Sequence, residues 1–208
     1  RDGRLHLRVV DYKTGRKKFS LSDVLHGMNM QMLIYLFALR ENGGARYKGQ
    51  IVPAGVLYAP AREEMLGVPR NISDAELEKE RAKKRRRSGL LLGDAAVLEA
   101  MEHGPDKKYL PVKAGADGMP SGDALAGPAQ FEALSGYIDK MLLRLARDVR
   151  GGSIEASPYW KSRDDTACAY CDYRGVCHFS ERDGDKRRYL KKLKADEAWL
   201  RITEGADE

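Results

Sequence analysis

Hydrophobic and polar positions change period several times along this chain. Leu5-His6-Leu7-Arg8 alternates, and Val9-Val10 then makes the apolar run continuous up to Asp11. That pattern predicts a strand running into a buried sheet, ended by Gly15 and the charges after it. From Ser20 to Asn42 the period is helical, with Val24, Leu25, Met28, Met32, Tyr35, Leu36 and Leu39 recurring at threes and fours. Ser20 is the predicted cap, with Asp23 in the capping-box position, and Glu41-Asn42-Gly43-Gly44 is the stop. Ile51, Val52, Val56, Leu57 and Tyr58 predict a second strand within 47–59. Its regular part is expected to begin at Ala54, because Pro53 cannot donate to a ladder. The order strand–helix–strand predicts an α/β core.

Residues 61–125 are less legible. Ile72 to Leu77 opens a polar, helix-like segment that runs into Lys83-Lys84-Arg85-Arg86-Arg87. Leu90-Leu91-Leu92, followed by Asp94 to Met101, has the look of a short helix. Tyr109-Leu110-Pro111-Val112 is a candidate strand of the same sheet, and 114–120 a Gly-rich hairpin or loop. Pro128 to Arg150 is a clear amphipathic helix. Phe131, Leu134, Tyr137, Ile138, Met141, Leu142 and Leu145 form its core face, and Gly151-Gly152 ends it. The stretch 185–200, rich in Lys and Arg, predicts a surface helix with a narrow apolar stripe. Its basic face is either solvated or applied to DNA or a partner. The organisation expected is a main domain over 1–180 and a basic tail over 181–208.

Composition narrows the class. The 208 residues suit one domain, with 42% hydrophobic and 33% charged positions. No apolar run is long enough to span a membrane, and no secretory leader is visible. The net charge of +6 favours a polyanionic partner. The basic block at 83–87 is either a solvated loop or a grip on phosphates. The three cysteines all fall within 168–177. That is a ligand cluster rather than a disulfide framework, and it suggests the reducing cytoplasm.

Three groups of residues carry chemistry. Asp11 and Lys13 are two apart on a strand, so they share a face and Tyr12 points the other way. Such a pair either caps the strand as a salt bridge or is used. Gln31 and Tyr35 are four apart on one helical face that is otherwise apolar. There Gln31 either satisfies a backbone group or serves a site. Cys168-x2-Cys171-x5-Cys177 has spacing suited to a metal, its loop held open by Gly175. Three thiolates do not close a tetrahedral site, and His178, adjacent to Cys177, is an awkward fourth ligand. Zinc and iron–sulfur both stay open on spacing, and so does a zinc-ribbon-like binding module with an incidental D-x-K.

V-V-D-Y-K-T-G followed by a helix carrying Q-M-L-I-Y resembles the PD-(D/E)XK nucleases of the RecB type, in which D-x-K and Q-x-x-x-Y are successive motifs. Val-Pro-Ala-Gly-Val-Leu-Tyr at 52–58 and the cysteines narrow the likeness to nuclease domains of bacterial helicase–nuclease complexes that process double-strand breaks. It covers 5–60 and 156–180 well, and 61–125 poorly. The resemblance implies a restriction-endonuclease-like α/β core, a mixed sheet flanked by helices, with a C-terminal cysteine-cluster loop. It implies a metal-dependent DNA exonuclease, with DNA and a helicase–nuclease subunit as partners. Asp11 and the Tyr12 carbonyl would hold Mg2+ or Mn2+. Lys13 would orient the water or stabilise the phosphate charge, and Gln31 and Tyr35 would position the substrate or the Lys13 end of the site. Cys168, Cys171 and Cys177 would hold a [4Fe-4S] cluster with a fourth cysteine outside this chain.

The chain opens without Met, on Arg1 and the hairpin signal Asp2-Gly3. This predicts an N-terminally truncated domain. In the resembled family the preceding strand carries another metal-binding aspartate. The isolated chain is therefore expected neither to cut DNA efficiently nor to hold a complete cluster. A catalytically silent module of the same fold, binding DNA or a partner, is the alternative. No Walker motif is present, so an ATPase is excluded for this stretch.

Overall fold

The strand read at the start forms as β1 (Arg4–Lys13). The computed structural model describes residues 3–15, 17–104, 107–115 and 119–205. Asp2, half of the expected turn, lies outside them, while Gly3 has the left-handed φ of 71° that such a turn demands.

After β1 come α1 (Leu21–Leu25), α2 (Gln31–Asn42), the single turn α3 (Gly44–Tyr47) and β2 (Gln50–Pro60). Next are α4 (Asp74–Arg85), β3 (Ser88–Leu92), α5 (Ala95–Met101), and the two-residue strands β4 (Lys113–Ala114), β5 (Pro120–Ser121) and β6 (Leu125–Ala126). The chain ends with α6 (Pro128–Arg150), β7 (Tyr159–Trp160), α7 (Arg174–Cys177), β8 (Arg188–Tyr189) and α8 (Ala195–Glu204). Among the described residues the main sheet has the order β1-β2-β3-β6. β1 pairs parallel with β2, β2 antiparallel with β3, and β3 parallel with β6. It is a mixed α/β sheet, as expected. β1 lies at one end of that order and is half-buried along most of its length.

Helices cover the sheet on two sides. The larger core joins α1, α2, α6 and α8 to one face through Val24, Leu33, Leu36, Val56, Leu134 and Ile138. All six are at most 1% exposed. Each stabilises the fold by roughly 1.5–3 kcal/mol. The smaller core, on the other face, holds Leu57, Leu91, Leu98, Leu110 and Val112.

The single helix predicted over 20–42 is broken. Ser20 does cap α1, its side chain accepting from the Asp23 amide. The chain then turns through Gly27 at φ 79° and Asn29 at φ 58° before α2 begins. The break turns α2 relative to α1, so the apolar stripe read through both does not exist as one face. α2 buries Met32, Leu33, Leu36 and Phe37 instead. β2 is also longer than predicted. It starts at Gln50, passes through Pro53, and takes up the irregularity as a register shift opposite Leu7/Arg8. The β3 pairing begins only at Gly55, so no ladder hydrogen bond from β3 is lost at Pro53.

The middle of the chain corrects three further expectations. Leu90-Leu91-Leu92 is not helical. It forms β3, pairing with 55–58, and the helix starts only after the Asp94 cap. Tyr109 to Val112 is no strand. The Glu102 carboxylate accepts from the amides of Tyr109 and Leu110, and Arg86 donates to the carbonyls of Leu110 and Val112. Side chains thus take the bonds that a neighbouring strand would have taken. β4 and β5 do form the expected hairpin arms, with 116–118 outside the described residues.

Glu99 anchors this segment. Lys107 donates to it, with the Gly104 amide and His103 also close, and together they hold its carboxyl down at about 2. A depressed carboxylate contributes stability fully above its ordinary value, 4.5, and loses it as pH falls through about 2. Acid titration followed by amide NMR should therefore loosen 99–112 within that window, and Glu99→Gln should remove the transition.

α6 has the predicted bounds. Pro128 starts it, and the Gln130 side chain accepts from the Gly127 amide. Leu142 and Leu145, expected in the core, are 36% and 47% exposed. α6 packs chiefly on α8 and α2. The tail is not a surface appendage. Leu193, Ala198, Trp199 and Ile202 enter the larger core, and the Leu193 amide donates to Ser22 Oγ at 3.1 Å.

Candidate active site

Near the C-terminal end of β1 the strand alternation is kept. Leu7 and Val9 face the larger core, Val10 the smaller one, and Tyr12, 71% exposed, lies on that second side. Asp11 and Lys13 therefore share the first face, as predicted. Lys13 Nζ lies 2.8 Å from Asp11 Oδ2. The two side chains are 39% and 28% exposed, so both reach solvent.

Tyr58 completes the arrangement. The parallel register sets it beside Asp11, and Lys13 Nζ stands 5.9 Å above its ring centroid. The ring is 5% exposed and forms a fixed support for the ammonium. Sequence reasoning took Tyr58 as a strand former and as the end of the 52–58 stretch in the resemblance, not as a site residue. No sequence signal reveals a parallel register across more than forty residues.

The electrostatics follow. The hydrogen bond to Asp11 raises the Lys13 pKa above its ordinary 10.5. Lys13 is thus a cation across the neutral range, able to donate to a phosphate or a water but not to act as a base. Burial raises the Tyr58 phenol, opposed by Lys13 and reinforced by Asp11 and Asp23. Asp23 was expected to close a capping box. Instead its carboxylate accepts from Lys161 Nζ at 2.8 Å and Asn29 Nδ2 at 3.0 Å. This ties α1 to the segment that precedes the cysteines.

Gln31 and Tyr35 come together but not with Asp11 and Lys13. Gln31 Nε2 donates to Tyr35 Oη at 2.9 Å, and both residues are exposed. The apolar surroundings expected for them are absent because α2 buries its opposite side. Among the described residues no hydrogen bond or ion pair joins this pair to Asp11 or Lys13.

Three cations of the basic block pair with glutamates and a fourth donates to carbonyls. Lys83 pairs with Glu80, Lys84 with Glu64 at 2.8 Å, and Arg85 with Glu63. Arg86 donates to carbonyls, as above. The Arg87 amide bonds Tyr109 O. Lys83 to Arg85 form the last turn of α4 rather than a loop.

The cysteines do not converge. Cys168 is half-buried, Cys171 and Cys177 are exposed, and all three are free. Gly175 does not hold a loop open but lies within α7, which ends at Cys177, with His178 capping it in the left-handed region at φ 53°. Among the described residues no three His, Cys, Asp or Glu side chains gather into a group able to hold a metal. As placed, the thiols do not fit a closed cluster site. Asp11 supplies one carboxylate only. That is compatible with a hard cation that takes its remaining oxygens from water and a substrate phosphate.

The chain is similar over nearly its whole length to one group of proteins, the B subunits of bacterial ATP-dependent helicase/deoxyribonucleases. It is 34% identical over 202 residues to that of Clostridium kluyveri, which is 95% of this chain and 18% of that protein. Identity to that of Thermoanaerobacter sp. (strain X514) is 35% over 199 residues, covering 93% and 17%. With that of Symbiobacterium thermophilum it is 34% over 212 residues, covering 100% and 18%. The chain thus spans less than a fifth of the length of these relatives. The family model of the PD-(D/E)XK nuclease superfamily matches residues 1–178, a span that takes in the Asp11–Lys13 strand, α2 and the cysteines. On that match and on the mixed sheet that carries Asp-x-Lys, this chain belongs to the PD-(D/E)XK nuclease superfamily.

Proposed function

We propose that this chain is the nuclease domain of an AddB-type subunit, hydrolysing DNA phosphodiesters in a bacterial helicase–nuclease complex that processes double-strand breaks. The observation that carries the reading is the Asp11–Lys13 pair, 2.8 Å apart on one face over the Tyr58 ring. Asp11, with the Tyr12 carbonyl, would hold Mg2+ or Mn2+, which lends Lewis-acid charge to the phosphate when bound. Lys13 donates to the non-bridging oxygens as negative charge develops on them, and Tyr58 keeps its ammonium in place. Gln31 and Tyr35, already joined, offer a polar ledge on α2 for the strand being cut. DNA is the substrate and an AddA-type protein the partner, in the cytoplasm. The three cysteines take part in no step. The proposed domain extends over 1–180, with Leu193, Ala198, Trp199 and Ile202 of the tail closing its core.

The test is cleavage of linear DNA with Mg2+, Mn2+ or EDTA, in this chain and in a polypeptide extended to the length of the relatives. The extended protein should cut with either metal and stop in EDTA. Metal-independent cleavage would overturn the metal-dependent mechanism, and no cleavage at all would return the chain to a silent DNA- or partner-binding module. The 208-residue chain, purified without oxygen, is expected to cut slowly and to carry well under a full complement of iron and sulfide. A full complement there would show that the thiols converge, contrary to their placement here.

A further inference from the structure

Lys83, Lys84 and Arg85 each meet a glutamate. A second set of cations is invisible as a cluster in the sequence and assembles only in three dimensions. Lys140, Arg144 and Arg147 from α6, Arg188 from β8 and Arg201 from α8 line one groove of about 830 Å³, with Glu204 the one carboxylate among the lining residues. Met141 and Ile202 form part of its apolar floor.

We propose that this groove is a binding track for a single nucleic-acid strand. Lys140 and Arg147 are seven residues apart on α6, roughly 10 Å along its axis. That is about three phosphate-to-phosphate steps along one strand of a duplex. Among the described residues neither side chain is paired with a carboxylate, so their charge is available to a polyanion. Tyr189 lies at the same groove and is 67% exposed. Its hydroxyl donates to Glu181 Oε1 at 2.9 Å, and Glu181 is itself held by Arg187 Nε at 2.9 Å. The phenol is pinned at its edge while its face stays open. A fixed, exposed ring beside a row of cations is a stacking platform with an electrostatic track, which suits unpaired bases better than a closed duplex. An acidic peptide would use the cations but not the ring.

The inference rests on DNA being the substrate but not on the Asp11 site, so it is tested without metal. Fluorescent oligo(dT) is titrated in EDTA over a range of salt, with thermal melting to confirm that each variant is folded. Lys140→Gln combined with Arg147→Gln should reduce the slope of log affinity against log salt by about 1.4, two phosphate contacts on a single strand. Tyr189→Leu should weaken binding about tenfold and leave that slope unchanged. Lys83→Gln with Lys84→Gln should change neither. An unchanged slope in the α6 double variant would overturn the track. Duplex bound as tightly as oligo(dT), with no effect of Tyr189→Leu, would overturn its preference for a single strand. Loss of cleavage in an Asp11 variant that still binds oligo(dT) would leave the track standing and concern the catalytic reading alone.

Discussion

Asp11→Ala and Lys13→Ala should each lower Mg2+-dependent cleavage by roughly a thousandfold or more in the extended protein, with DNA affinity and melting temperature nearly unchanged. The stability half of this expectation comes from exposure. Their 2.8 Å ion pair is 39% and 28% exposed, and such solvated pairs contribute little to folding. The catalytic half comes from charge. Asp11 is the carboxylate available to a cation at this site, and Lys13 is the cation that remains when none is bound. Because Lys13 is raised by its hydrogen bond to Asp11, the Asp11→Ala change relaxes it back toward 10.5, still protonated at neutral pH. The loss in that variant therefore cannot be assigned to a neutralised lysine. Lys13→Arg keeps the charge and should recover part of the rate. A wild-type rate in either alanine variant would remove both residues from the mechanism.

The largest effect on stability is expected at Gly89. A Cβ built there would lie 1.9 Å from Val56 O and 2.9 Å from Val56 C. These are backbone atoms of the paired strand, so they cannot swing aside as a side chain would. Gly55 meets the same obstacle from the other strand. Its φ is 136°, and a Cβ would lie 2.4 Å from Leu90 O. β2 and β3 thus approach each other in a way that only glycine allows. Gly89→Ala should cost about 3 kcal/mol or more, the upper range for overpacking. That is a large part of the ~5–15 kcal/mol available to a domain. Gly67, with nothing within 4 Å of its Cβ position, is the control, and Gly67→Ala should stay within about 0.5 kcal/mol. Denaturant melts of the two variants decide the matter. Partial separation of β2 from β3 would also displace Tyr58, so a folded Gly89→Ala protein should lose cleavage in proportion to the shift of that ring.

The sequence by itself determined what local chemistry fixes. Alternation placed Asp11 and Lys13 on one face of a strand, and period and proline placed α6 at Pro128–Arg150. Hydroxyl caps started α1 at Ser20 and α4 at Ser73. Each of these signals acts over four residues or fewer, within one strand or one turn. The two motifs that carry the family resemblance lie on such elements. What the tertiary structure decided spans longer distances. The parallel register puts Tyr58 beside Asp11 across forty-seven positions, and no local preference encodes a register between separate strands. Leu90-Leu91-Leu92 has no period to choose helix or strand, and becomes β3 because Gly55 to Tyr58 offer it a ladder. The charges at 83–85 look free in one dimension and are paired by glutamates at 63, 64 and 80, two of them about twenty residues away. Leu193 and Trp199 read as part of a narrow surface stripe, yet α1 and α6 supply a surface that buries them. Burial is settled by what lies opposite a side chain, and the sequence does not say what that is.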